Sequence, residues 1–526
     1  MHTHVPAVPA VLALVAGAAS AADVFLTPND NLAEAVDSAE PGDVLILAPG
    51  VYSTDTISPH GTLTIRSSEG PSATVVMLAP EQAPGTLFSA SSDGELTLEG
   101  LTFRGNETPF GSGDRLVEIG RIMTVNLIDM TFEDAERGID FGTAVVGTVR
   151  DSRFLRIDKG NNSGAISIGN ACDIEIVNTS FSSNGDVNAG QGGGAISTRA
   201  SRLVVQGSSF SGNESAQSGG AISASNGVIL SISGSTFSDN QTQGFGGAVH
   251  VQDGAARILN SEFIGNDAST GGDLYLESNT FSGRDAALAV QGCFFRDGDA
   301  QQASAVYIST QRAVFSNNVV VERRETSVTP VELDPRSGSP ADGAVLTHNT
   351  FVGPGFFGIE ASALAVEGRF RVVANNILRG FAHGQLNADL DGVIFDFNNI
   401  EGFDGSDTAD TNNIDADPLF VNPERFDFQL SADSPSINAG SDELVGPDAL
   451  DRNGNLNTRE PLPVDALDRP RIAAAIGEPF QPDQGAFEFS PDGPPSPCPA
   501  DLVAPFGVAD LSDVDAFIAS FVAGCP

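Results

Sequence analysis

The sequence predicts an all-β fold, a single-stranded parallel β-helix of about 12 coils, and three recurring phrases predict it. The first is apolar, any, apolar, four residues, then Phe or Ile. The second is Gly-Ala-Ile, and the third is an Asn three residues beyond an aromatic. All three keep one common beat. A leucine-rich horseshoe lacks this Phe and Asn phrasing, and a propeller blade needs longer strands and a larger period.

The first phrase runs from Leu96/Leu98/Phe103 and Val125/Leu127/Phe132 through Ile174/Ile176/Phe181 to Leu203/Val205/Phe210. It continues at Leu230/Ile232/Phe237, Ala256/Ile258/Phe263, Leu288/Val290/Phe295 and Ala344/Leu346/Phe351, then Phe370/Val372/Ile377 and Val393/Phe395/Ile400. Phe154 with Val149 is a weaker copy, and Phe315 fits the spacing only. The alternation marks a strand with one face inward. From Phe154 the aromatics lie 27, 29, 27, 26 and 32 residues apart. Gly164, Gly194, Gly220 and Gly247 open the second phrase, where small residues let coils approach closely. Asn184, Asn213, Asn240 and Asn266 make the third, expected to hydrogen-bond from coil to coil. At ~4.8 Å per coil the rod is about 60 Å long.

The open end of such a stack needs a cover. Asn29-Asp30-Asn31 followed by Leu32, Ala35, Val36 and Ala39 gives an N-cap and an apolar helical stripe that ends at Pro41-Gly42. Asp43 to Leu47 is read as the first strand. Ahead of it, residues 1–21 read as a secretory signal peptide, an apolar stretch closing on Ala19-Ser20-Ala21, although its start carries His2 and His4 instead of Lys or Arg. The organisation expected is therefore signal peptide 1–21, β-helix with its cap 22–420, an end region 421–489, a proline-rich linker 490–497 and a tail module 498–526. Cys498 and Cys525 bound that module; in an exported chain they are expected to pair, since so short a segment buries little core.

Charge narrows the partners. With 26 basic and 69 acidic side chains the formal charge is −43, a field that repels nucleic acid and anionic lipid. Apolar content of 40% supports a core, and 4 cysteines exclude a disulfide scaffold. No run approaches the ~18 apolar residues of a membrane-spanning helix. Cys172 and Cys293 sit four coils apart, on the order of 19 Å, and are expected to be separate thiols.

The phrases resemble the right-handed parallel β-helix superfamily with the pectate-lyase-like fold, and the opening through Gly42-Asp43 to Ala48-Pro49-Gly50-Val51-Tyr52 is similar to its usual entry. The Gly-Gly-Ala-Ile and Phe-x-x-Asn phrases between 164 and 266 resemble the repeats of polymorphic outer-membrane proteins, which are surface adhesins. Asp417-Pro418-Leu419-Phe420, Ser434 to Gly440, and Asp483 to Glu488 resemble the ends of secreted choice-of-anchor β-helix proteins. The tail from Cys498 to Cys525 is similar to half of an EF-hand-derived, dockerin-like module. With Gly507 as the loop glycine, that resemblance puts Asp510 and Asp513 at the ninth and twelfth ligand positions for calcium. Leu502, Ala504 and Phe506 fall on the earlier ligand positions and offer no oxygen, so the site it implies is weak or empty. A packed helical hairpin with Val514, Phe517, Ile518 and Phe521 as its core is the other reading of the tail.

For function, the residues leave two classes open. One is a non-catalytic rod at the cell surface or outside the cell that binds polysaccharide or surface components. The other is a polysaccharide lyase or hydrolase acting on uronic-acid polymers, with its site in longer turns such as 320–342. The best bases for a lyase are Arg150 and Arg153, or Arg369 and Arg371, which alternate on outward strand faces. His250 and His348 are read as satisfied structural histidines, and Asp451 to Asn455 as a turn in preference to a metal loop. No catalytic residue is assigned.

Overall fold

The computed structural model describes residues 21–490 apart from 83, 92–93, 107–113, 158–163, 187–191, 279–287, 311–312, 325–327, 334–343, 354–363, 367–369, 382–385, 389–393, 403–411, 453–454 and 472–480. The expected signal peptide up to residue 20, the tail module with Asp510 and Asp513, the Cys498–Cys525 pair and nearly all of the linker lie outside the described residues.

Three long sheets of 15, 14 and 12 strands run along the described chain, each built from every third strand or so and parallel throughout. One coil shows the construction. Ile229–Ser233 lies in the first sheet, Thr236–Ser238 in the second and Val249–Gln252 in the third. Leu230, Ile232, Phe237, Val249 and Val251 point inward and are buried. Left-handed residues make the corners: Gly234 before the second sheet, Asp239 after it, Asp253 after the third.

The predicted columns stack in register. Phe132, Phe154, Phe181, Phe210, Phe237, Phe263 and Phe295 pair directly across neighbouring strands. From Phe154 to Phe263 their rings lie 4.7–4.9 Å apart with 2–7° between planes. That is the spacing of hydrogen-bonded strands, so one contact distance serves backbone and ring alike. The glycine column is required by closeness. A Cβ on Gly194 would stand 2.2 Å from Gly220 O, and one on Gly220 would stand 2.2 Å from Gly247 O.

The asparagine ladder forms as expected. Asn184, Asn213 and Asn240 each donate from Nδ2 to the next Oδ1 at 2.9 Å. The following coil has Gly298 where a further Asn would stand, and Asn266 Nδ2 turns to the buried Asp273 Oδ1, at 2.8 Å. A second ladder, which the sequence reading missed, runs Asn318, Asn349, Asn376, Asn398 and Asn413 at the corner between the first two sheets. Thr179, Ser208, Ser235 and Ser261 hold the same corner in earlier coils, each hydroxyl accepting from the preceding coil's N–H.

Three expectations are corrected. The first sheet begins at Asp23–Leu26, which pairs with Val44–Leu47; the strand at Asp43 is the second. The helix spans Leu32–Asp37 between them, with Asn31 Oδ1 accepting from Glu34 N and with Leu32 and Val36 buried. In the coil at 370–379 the inward residues are Val373 and Leu378, which pair with Leu346 and Phe351, and not Val372 and Ile377. Phe315 aligns with Val290 in the first sheet, and Val320 takes the place of the phenylalanine in that coil.

The end region folds back. After Ile414, the chain returns along the corner between the first and second sheets, over five coils. Asn399 Nδ2 donates to Ser436 Oγ, Asn375 Nδ2 to Ser441 O, Asn317 Nδ2 to Val464 O and Gln291 Nε2 to Pro447 O. Under this strap the second sheet's outward side chains turn apolar: Val319 and Val321 pack with Phe428 and Ala486, alongside Phe294 and Val352. Earlier coils, which the strap leaves bare, carry Ser180, Ser182, Ser209 and Ser211 outward. The strap is pinned by Arg471, wholly buried, which donates to Glu488 Oε1 at 2.5 Å and Asn317 Oδ1 at 2.7 Å. Burial lowers the Arg471 pKa and pushes Glu488 up to about 8. Two of the three end-region motifs tie the strap to itself and to the coils: Asp483 accepts from Asn438 N, Glu488 holds Arg471, and Gly485 N donates to Asn375 O.

Candidate functional site

Outward positions of the third sheet lie between inward apolar residues, and in three successive coils they read Val249-His250-Val251, Leu274-Tyr275-Leu276 and Val306-Tyr307-Ile308. His250, Tyr275 and Tyr307 therefore stand in one column on the outside of the rod. Phe245 joins them from the turn before the third sheet, where it bridges to Ser218 and Thr270. Tyr275 and Tyr307 are 4.9 Å apart and nearly parallel, Phe245 lies 4.8 Å from Tyr275, and His250 lies 5.4 Å from Tyr275. Two of the protein's 3 tyrosines meet here, beside a phenylalanine that is 43% exposed.

The stripe has a polar, acidic rim. The Tyr275 hydroxyl donates to Glu277 Oε2 at 3.0 Å, and Gln302 Nε2 donates to Glu332 Oε1 at 2.7 Å. Asp267 accepts from Gln241 Nε2 at 3.0 Å; burial and then the neighbouring Asp299 raise its pKa. His250 is 7% exposed, and its Nδ1 is buried without a hydrogen-bond partner. Burial depresses it to about 4 against the opposing pull of Glu277, so the imidazole is neutral at pH 7. Rings with polar edges and a neutral nitrogen suit a ligand that has both an apolar face and hydroxyls.

The residues singled out from sequence lie elsewhere. Arg150 is half exposed beside Asp151, and Arg153 faces solvent. The Arg369 and Arg371 side chains are outside the described residues. His348 is a left-handed corner residue, fully buried, and burial followed by the charge of Arg471 drives its pKa well below normal. Neither of its ring nitrogens has a partner, and His250 Nδ1 has none, so the expectation of satisfied histidines is corrected. The Asp451 carboxylate accepts from Leu456 N at 3.0 Å, as a turn does. In the 320–342 stretch Arg323 pairs with Asp297 and Arg324 with Asp299, and the Glu322 carboxyl, raised by burial, accepts from Arg324 N and Ser304 Oγ. Cys172 and Cys293 are separate buried thiols. No group of three or more His, Cys, Asp or Glu placed to hold a metal occurs among the described residues.

Residues 116–284, which include Phe245, His250 and Tyr275, match the family model of the right handed beta helix region. No curated protein matches the chain. Among solved structures it is similar to a PL6 family alginate lyase, AlyGC, at 15% identity over 65% of this chain and 51% of that one, with a TM-score of 0.34. The catalytic unit of a GH87 alpha-1,3-glucanase from Streptomyces thermodiastaticus matches at 15% identity over 62% and 64%, TM-score 0.33. The A-module of a mannuronan C-5 epimerase, AlgE6, from Azotobacter vinelandii matches at 13% over 69% and 93%, TM-score 0.28. The chain spans about half the length of the AlyGC lyase it matches. At these identities and scores no activity is carried across. With its parallel sheets and the matching family model, the chain is a right-handed parallel β-helix protein.

Proposed function

We propose that this protein is an extracellular β-helix rod that binds a neutral polysaccharide on the outside of its third sheet. The observation that carries this is the outward stack of Phe245, Tyr275 and Tyr307 with His250 among them. A pyranose ring offers C–H groups on one face and hydroxyls at its edge, matching aromatic rings rimmed by phenol, imidazole and carboxylate groups. Charge selects against the uronic-acid polymers of the alternative reading. A net −43, with Glu277, Glu332 and Asp267 at the rim, repels a polyanion unless divalent cations bridge the two.

The test is a binding panel. The mature protein is titrated with neutral glucans, mannans and galactans and with uronic-acid polymers, with and without calcium, while products are assayed. Binding of a neutral polymer that Phe245→Ala or Tyr307→Ala weakens tenfold or more supports the proposal. Binding of uronic-acid polymers alone overturns it. New reducing ends, or unsaturated products absorbing in the ultraviolet, would replace the binder with an enzyme.

A further inference from the structure

Three residues fill corresponding outward places in neighbouring coils, and two of them have polar partners within their own coil. Ser223 shares a hydrogen bond with Ser218 at 3.1 Å, and Tyr275 donates to Glu277. His250, between them in the column, differs. Its Nδ1 is buried and meets no donor or acceptor. A buried polar atom left this way is costly, and a well-packed wall ordinarily avoids it. Serine would fill the position without that cost, as it does in Ser167, Ser197 and Ser223 of preceding coils. The imidazole also lies beside the exposed ring of the stripe, with Tyr275 nearer still to that ring at 4.8 Å. Phe245 lies 6.1 Å from the imidazole and is 43% exposed, its backbone held by bridges to Ser218 and Thr270.

We propose that His250 is the specificity-determining residue of the aromatic stripe, its Nδ1 accepting a hydrogen bond from a sugar hydroxyl when the Phe245 ring shifts to pack against a bound neutral pyranose. This rests on the function proposed above and narrows it: the stripe selects a ring with a free hydroxyl beside its apolar face, and rejects one that lacks this donor. Tyr275 and Tyr307 then supply contact area, and His250 supplies discrimination.

Affinity measurements on the full chain test it, using whichever neutral oligosaccharide from the panel binds, and its O-methylated form. His250→Phe keeps a ring of similar size and removes the acceptor; His250→Gln restores a hydrogen-bonding group. Expected are a loss of about tenfold or more in His250→Phe, substantial rescue in His250→Gln, and a preference of the unmodified protein for the free sugar that His250→Phe no longer shows. Should His250→Phe bind as tightly as the unmodified protein while Phe245→Ala does not, the inference fails and the stripe survives as a binding site. Equal binding by all three, or none to any neutral sugar, overturns the proposed function itself. If His250→Phe fails to fold, the O-methylated sugar decides on the unmodified protein, and undiminished binding of it overturns the inference.

Discussion

Replacing Asn213 by Leu removes one rung of the first asparagine ladder without greatly changing volume. The side chain donates from Nδ2 to Phe181 O at 3.1 Å and to Asn240 Oδ1 at 2.9 Å, and its Oδ1 accepts from Asn184 N at 3.2 Å and Asn184 Nδ2 at 2.9 Å. Three of the four neighbours keep another bond: Asn184 Nδ2 still reaches Phe154 O, Asn240 Oδ1 still accepts from Asn213 N, and the Phe181 carbonyl keeps its place in the ladder with the strand Ser209–Ser211. The Asn184 N–H loses its partner in a site with no water access, since Asn184 and Asn213 are both 0% exposed. At about 1–3 kcal/mol for an abandoned group, the loss centres near ~2 kcal/mol. Stacked coils unfold in pieces, so the assay is local: hydrogen exchange of amides in coils 180–242, with the exposed Ser211→Ala as control. Protection should fall in these coils and hold in the coils beyond Phe315. A loss below ~1 kcal/mol would show that stacked rings alone hold the coils and that the ladder merely fills space.

Gly220→Ala should destabilise the same coils by about 1–3 kcal/mol or more, because its Cβ would stand 2.2 Å from the Gly247 carbonyl with only backbone to give way; thermal melting checks it. Arg471→Leu should cost about 2–4 kcal/mol by taking the buried donor away from Glu488 and Asn317, and should expose residues 414–490 to protease while the coils stay intact. Stability should fall as pH drops from 6.5 towards 4. There His250, held down at about 4 by burial, stays neutral in the folded protein while its unfolded counterpart takes up a proton. At ~1.36 kcal/mol per unit this one group accounts for about 3 kcal/mol, the loss being complete below the folded value and absent above 6.5; His250→Phe should remove that share.

The repeating interior was legible because stacking forces like on like. A phenylalanine in one coil is best packed by a phenylalanine one strand spacing away, and an asparagine that must be satisfied is best satisfied by another, so residue type recurs at the coil period. Legibility failed where neighbouring residues were both apolar. Val372 and Val373, like Ile377 and Leu378, fit the phrase equally well, and only strand pairing decides between them. The strap was hidden for a related reason: Val319-Val320-Val321 reads as one apolar strand, and nothing local tells that its outer face is covered by residues about 100 or more positions later. The aromatic stripe carried a faint signal, an aromatic or imidazole between two inward aliphatics in three consecutive coils. The signal is faint because a single ring at an outward strand position is unremarkable, and only strand pairing brings the three into one column.

The most direct measurement is a crystal structure of the protein grown with a neutral oligosaccharide. The account predicts sugar density against Phe245, Tyr275 and Tyr307 on the outer third sheet, with a hydroxyl within hydrogen-bond distance of His250 Nδ1. Sugar bound on another face of the rod, with this stripe bare, would contradict it.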